Sequence, residues 1–250
     1  MIGGPEYYNT SNNMMFEDEF YEEDMTIWID PLDGTKGFTE GHLAHITGMI
    51  GVSVNQRPKI GVIHKPFYNA AYRQGRTYFG TPETGVFIKD KFPKKLRRLD
   101  RVISLDDFDK EEAVDEKDYD LWVCASLNKN QLSTNEILKA LKPRHVARVA
   151  GAGNKFVYLM DKKADFYVNL VPGFKYWDLC ASEALYNSMG GILTNAAGEE
   201  ILYDHNNDDY TIKEGIVAAK NQKVYDTCTT RLQNELNLSM AEMHERTLEQ

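Results

Sequence analysis

Asp30 and Asp33 stand three residues apart around a proline in "WIDPLDGTKGF", Trp28 to Phe38, and Gly34, Thr35, Lys36 and Gly37 follow at once. Hard divalent cations such as Mg²⁺ take oxygen ligands, commonly one or two carboxylates with water and substrate phosphate, and two such ions can clamp the oxygens of an in-line displacement. Two aspartates one turn apart, with the Leu32 carbonyl turned inward between them, offer those donors. The amides of Gly34 and Thr35 then open a helix or turn, where free N–H groups favour an anion. The stretch therefore suggests cations held by carboxylates, phosphate held by amides, and the cations joining the two. Asp, Pro and Gly are also turn residues, so a plain turn accounts for the same letters.

Two later stretches carry further candidates. In "KYWDLCASEALYNSMGG", Lys175 to Gly191, Asp178 opens a predicted helix whose Ala181, Ala184, Leu185, Tyr186 and Met189 fall mostly on one face, with Gly190 and Gly191 stopping it. Taken alone, Asp178 is an ordinary carboxylate stabilising a helix start. "AGAGN", Ala150 to Asn154, is a turn whose backbone can approach a ligand closely, although most glycine turns are only turns. Lys155 after it is either a counter-charge for a second phosphate or a solvated helix residue.

The elements that would position these residues are legible in the pattern. "TIWID" is β-branched and aromatic and predicts a buried strand ending at Asp30, with Pro31 stopping the ladder. "HITGMIGVSVNQRPKIGV", His45 to Val62, predicts two strands joined by a polar "NQRP" turn, and "RTYFG" and "TGVFIK" predict two more. "LWVCAS" predicts another buried strand and "STNEILKALK" a capped helix, after which "HVARVAGAGNKFVYLMDKKADFYVNL" reads strand, glycine turn, helix, strand. The expectation is one α/β domain over residues 1–250, with a sheet-rich half at 1–105 carrying metal and phosphate and a layered α/β half at 106–250. The acidic run Phe16 to Asp24 is a solvated approach segment. The helical tail from Asp226 to Gln250 either caps the domain or pairs with another chain.

Composition narrows the class. With 250 residues, 42% of them hydrophobic, the chain can bury a full core, and its net charge of −9 argues against a nucleic-acid polymer as partner. The dense basic run "KFPKKLRR", Lys91 to Arg98, fits a solvated loop or strand end. Cys124, Cys180 and Cys228 lack metal-ligand spacing and leave one unpaired, which suits reduced thiols. No apolar run reaches membrane-span length and the first residues lack a signal-peptide pattern, so a soluble, cytoplasmic protein without membrane contact is expected.

"WIDPLDGT" together with "WDLCASEALYNSMGG" resembles the paired signatures of the inositol monophosphatase superfamily of Mg²⁺-dependent, lithium-sensitive phosphatases. Within it, "EEDMTIWIDPLDGTKGFTEG", "GVIHKPFYN", "VAGAGNK" and "PGFKYWDLCASEAL" are most similar to the 3'(2'),5'-bisphosphate nucleotidases, and the likeness runs from Glu22 to Ala219. The resemblance implies alternating layers of helix and sheet with the site between the two halves. It makes Asp30, the Leu32 carbonyl, Asp33 and Asp178 ligands of two or three Mg²⁺ ions, and Asp33 and Thr35 the catalytic side chains. Gly34 and Thr35 would touch the scissile phosphate. Ser126, Gly151, Gly153, Lys155 and Asp178 would line the substrate, with the glycines and Lys155 near the sugar or second phosphate. The implied activity is removal of the 3'-phosphate from adenosine 3',5'-bisphosphate or its sulfated form. The alternatives are an inositol phosphate phosphatase, or a protein that binds metal and phosphate with little turnover. Relatives are monomers or homodimers.

Two departures bear on that reading. Relatives carry an N-terminal helical region with a Glu ligand in a G-E-E context and an Asp–Thr pair that prepares the attacking water, and too few residues precede Asp30 to hold it all. The expectation is binding of Mg²⁺ and nucleotide with poor turnover, unless Glu6, Glu22 or Glu23 fills the role. Where the nearest relatives have Ser and His, this chain reads "SLNKN": Ser126 matches, while Asn128 or Lys129 stands for the His.

Overall fold

The computed structural model describes residues 24–69, 74–91, 101–104, 120–127 and 132–248. Glu6, Glu22, Glu23, Asn128, Lys129, most of the acidic approach segment and the basic run beyond Lys91 lie outside the described residues.

The first sheet is a six-stranded antiparallel meander in sequence order: β1 (Met25–Asp33), β2 (Thr47–Val54), β3 (Arg57–Asn69), β4 (Gln74–Thr81), β5 (Gly85–Lys91) and β6 (Arg101–Ser104). Period-two alternation sets its faces, so that in β1 Trp28, Asp30 and Asp33 turn inward while Ile27 and Ile29 turn out. Pro31 does not end the first strand, contrary to the sequence expectation. The pairing passes from Asp30↔Met49 to Asp33↔Thr47, three steps on β1 against two on β2, which is a bulge. An edge strand tolerates a proline because no neighbour needs its N–H on the open side. The next turn is also tighter than "NQRP" suggested: Asn55 and Gln56, at φ of 49° and 62°, make it alone, and Arg57 and Pro58 already belong to β3.

Between β1 and β2 lie the short helix α1 (Thr35–Thr39) and a 3₁₀ turn at Leu43–His45. The second half contributes β7 (Trp122–Ser126), α2 (Leu132–Leu141), β8 (His145–Val149), α3 (Ala152–Met160), β9 (Phe166–Asn169), β10 (Phe174–Lys175), α4 (Tyr176–Ser188), β11 (Ile192–Asn195), β12 (Thr211–Ile212), β13 (Ile216–Ala219), α5 (Gln222–Leu236) and α6 (Met240–Leu248). Its main sheet has the order β11-β13-β9-β7-β8, with β7 parallel to both β8 and β9 and the β13 pairs antiparallel.

The layers alternate. Helices α3 and α4 lie between the two sheets, in one core that joins Trp28, Met49, Ile63 and Tyr78 of the first sheet to Cys124, Tyr167 and Ala218 of the second. On the far face of the second sheet, Ile137, Leu141, Cys228, Leu232, Met240 and Met243 from α2, α5 and α6 close a second core. The C-terminal tail thus covers the domain, and Asn221 starts α5 by accepting from the Val224 amide at 2.9 Å.

Helix α4 is not one-sided, as its apolar spacing had suggested. Leu179 through Tyr186 are all buried, Ser182 and Glu183 included, because a sheet lies on one side and α3 with β11 on the other. Gly51 lets the sheet approach: a Cβ there would stand 2.8 Å from the Cys180 sulfur. Glu183 is matched by Arg57 Nη2 at 2.7 Å and the Tyr203 hydroxyl at 2.7 Å. All three cysteines are buried and unbonded. Among the described residues no helix is long and apolar enough to cross a membrane.

Candidate active site

The bulge in β1 makes the site. It turns both Asp30 and Asp33 to the inner face, although residues three apart on a regular strand point to opposite faces. The first turn of α4 brings Asp178 to meet them, and an oxygen from each of the three carboxylates lies within 4.8 Å of the others. Asp30 and Asp33 are 9% and 8% exposed, and Asp178 is half-buried.

Each carboxylate is oriented by backbone. The Leu32 amide donates to Asp30 Oδ1 at 3.1 Å, and the Lys175 amide donates to Asp178 Oδ2 at 2.7 Å. Asp33 is held most fully: the Ala152 amide meets Oδ1 at 3.0 Å, and the Gly153 amide and the Thr47 hydroxyl meet Oδ2 at 2.9 and 2.7 Å. Asp33 thereby caps α3 from across the fold, satisfying amides that a helix start leaves open. The close backbone approach foreseen at "AGAGN" is an approach to Asp33.

Burial first, and then the Asp33 charge, hold the Asp30 carboxyl above its ordinary range. Asp178 is pushed up to about 7 by burial, against the pull of the Lys175 amide, with the Asp33 and Asp30 charges adding to the rise. No lysine or arginine among the described residues pairs with any of the three. Clustered acids without a cationic side chain, offering only hard oxygen donors, fit Mg²⁺.

The other predicted site residues fall around this cluster. Gly34, at φ 81°, precedes α1 beside it; a Cβ there would stand 2.9 Å from the His45 carbonyl oxygen. Thr35 is exposed and donates its hydroxyl to the Leu32 carbonyl at 2.9 Å, which occupies one of that oxygen's two lone pairs. Gly151 sits where a Cβ would meet Asp33 Oδ2 and the His45 carbonyl, each at 2.9 Å. Gly153 faces the sheet, since a Cβ there would come within 2.7 Å of the Thr47 hydroxyl. Lys155, one turn along α3, is 7% exposed and lies over the rings of Tyr167 and Phe174 at 5.5 and 5.7 Å, and no described carboxylate pairs with it. Ser126, at the end of β7, neighbours the same tyrosine.

Sequence reasoning missed Thr47, His45, Asn154 and Lys65, which surround Asp33 and the turn that holds it. Strand alternation marks Thr47 as inward-facing, but only the register shows that Asp33 is what it meets.

Comparison with known proteins agrees with this architecture. The model of the inositol monophosphatase family matches residues 5–238. The chain is 33% identical over 210 residues to mouse (Mus musculus) 3'(2'),5'-bisphosphate nucleotidase 1, covering 82% of this chain and 60% of that protein. It is 34% identical over 187 residues to Xenopus laevis inositol monophosphatase 3, covering 72% and 45%. The chain thus spans three-fifths or less of the length of these relatives. Among solved structures, CysQ from Bacteroides thetaiotaomicron, a bacterial member of the inositol monophosphatase family, superposes with a TM-score of 0.58 at 25% identity, over 80% of this chain and 71% of its own. A family match over nearly the whole chain, on a layered fold that brings the distant Asp178 to Asp30 and Asp33, settles the classification: this chain belongs to the inositol monophosphatase family.

Proposed function

We propose that the chain is a Mg²⁺-dependent, lithium-sensitive phosphomonoesterase that removes the 3'-phosphate of adenosine 3',5'-bisphosphate. The observation that carries this reading is the meeting of Asp30, Asp33 and Asp178 with no cationic side chain among the described residues to neutralise them. Those carboxylates and the Leu32 carbonyl would hold the ions, two or three in number. Bound Mg²⁺ supplies positive charge that stabilises a transferring phosphoryl group and its leaving oxygen.

The chain's own groups do the rest. The Gly34 and Thr35 amides hold the phosphate beside the carboxylates, and the Thr35 hydroxyl joins them by turning its one hydrogen from the Leu32 carbonyl to the phosphate, fixing it for attack. Lys155 favours a substrate with a second phosphate, because a nearly buried ammonium without a described acidic partner is stabilised by a ligand's anion. Ser126 and Gly151 would line the same side. The names of the relatives include both bisphosphate nucleotidases and an inositol monophosphatase, and Lys155 is what weights the choice toward the nucleotide.

Phosphate release from adenosine 3',5'-bisphosphate and from inositol 1-phosphate, each with and without Mg²⁺, tests the reading. The nucleotide is expected to be cleaved faster, only with Mg²⁺ and less with Li⁺. Lys155→Ala should raise KM for the nucleotide by about ten-fold or more, the loss of a hydrogen bond to a charged group, while leaving inositol 1-phosphate unaffected. Faster cleavage of inositol 1-phosphate, or equal losses for both substrates, would overturn the nucleotide assignment.

A further inference from the structure

Behind Asp33 runs a chain of three polar side chains, Lys65, Asn154 and His45, which hydrogen-bond to one another and to the Ala150 backbone rather than to the three clustered carboxylates. Lys65, on β3, is buried and its Nζ donates to Asn154 Oδ1. Asn154, in the first turn of α3 and 1% exposed, donates Nδ2–H to the Ala150 carbonyl at 3.1 Å and reaches His45 Nδ1 at 3.2 Å. The Ala150 amide also points at His45 Nδ1, at 3.4 Å.

Proton inventory fixes every orientation in this chain. A lysine ammonium has donors only, so the Asn154 oxygen must face Lys65 and the NH₂ must face away from it. Both of its hydrogens are then committed, one to Ala150 and one to His45. Two N–H donors converge on His45 Nδ1, so that nitrogen is an acceptor and the neutral ring carries its proton on Nε2. Burial, with the Lys65 and His42 charges, also pushes the His45 pKa down, and burial lowers Lys65 to about 8.

What this chain grips is the turn Ala150–Asn154, from both sides of Gly151. The next two amides of that turn, Ala152 and Gly153, are the ones that hold the Asp33 carboxylate. The His45 carbonyl lies against both Gly34 and Gly151, so the residue joins the turn that faces phosphate to the turn that holds Asp33.

We propose that Lys65, Asn154 and His45 are positioning residues that lock the 150–153 turn and, through its two amides, set the Asp33 carboxylate for metal binding. The proposal rests on reading the carboxylate cluster as the metal site, and its test separates the two.

Two variants of half-buried His45 carry that test. His45→Ala removes the acceptor, whereas His45→Asn returns an oxygen to about the position of Nδ1. In metal-free protein, hydrogen exchange at the Ala152 and Gly153 amides should quicken by about five- to ten-fold in His45→Ala, one hydrogen bond's worth, and return to within about three-fold of wild type in His45→Asn. Mg²⁺ Kd, measured by calorimetry, should rise by about ten-fold in the alanine variant and recover in the asparagine variant, as for other partners that orient metal ligands. Unchanged exchange and Kd in His45→Ala, or equal impairment of both variants, would overturn the proposal. Wild-type protein that binds no Mg²⁺ while the exchange changes as stated would support the positioning chain and overturn the metal reading beneath it.

Discussion

Helix α4 carries two acids five residues apart, Glu183 buried and Asp178 half-buried, that the fold treats in opposite ways. Glu183, wholly buried, has its own counter-charge in Arg57 and a hydroxyl donor in Tyr203, and together these tie α4 to the β2–β3 hairpin and the segment around Ile201. Asp178 receives one backbone amide and then faces two more aspartates. Burial pushes both carboxyls up to about 7, but at Glu183 the Arg57 charge, the Tyr203 hydroxyl and the Arg57 hydrogen bond oppose the rise, whereas at Asp178 the neighbouring acids add to it. The contrast teaches that the chain supplies its own cation where a carboxylate ties α4 to its neighbours and supplies none among the described residues at Asp178, which is what the proposed metal site requires.

Breaking the structural half should have the largest effect. Glu183→Ala leaves Arg57 without its buried partner and the Tyr203 hydroxyl without its acceptor, and should lower stability by about 3–5 kcal/mol in urea unfolding. Asp178→Asn, five residues earlier, should cost far less in metal-free protein, since it relieves like-charge repulsion. A loss at Asp178 as large as that at Glu183 would erase the distinction.

A smaller effect follows from pH. The folded pKa of Asp178 lies above its unfolded value, so the folded chain binds that proton more tightly. The stability this brings to metal-free protein is complete below about pH 4 and is lost as the pH rises through about 7. The difference in melting temperature between wild type and Asp178→Asn should therefore shift against the wild type across that window, and saturating Mg²⁺ should remove the shift. A difference that stays flat without metal would mean that Asp178 is not crowded by its neighbours.

Much of this was legible in the sequence because local rules govern it. The strand over "TIWID", the turn at Asn55 and the helix over "STNEILKALK" follow from residues close together in the chain, although Ile27 and Ile29 turn out where a buried strand was expected, and the helix begins at Leu132, ahead of the Ser or Thr expected to cap it. Misreadings arose where distant contacts decide: Pro31 is carried through by an edge position and a bulge, and α4 is buried all round by layers no helical wheel shows. At the site, paired motifs named Asp30, Asp33 and Asp178, while Thr47, His45, Asn154 and Lys65 stayed hidden. Their roles depend on which turn packs against which strand, and a lone Thr, His or Lys carries no signal of that.

Whether the three aspartates form a cation site is decided by Mg²⁺ titration of the wild-type chain followed by thermal unfolding. Mg²⁺ at about one hundred times its Kd should stabilise the folded chain by about 2.7 kcal/mol, with the gain largely lost in Asp178→Asn. An unchanged melting temperature in saturating Mg²⁺, or an equal rise in wild type and Asp178→Asn, would contradict the account.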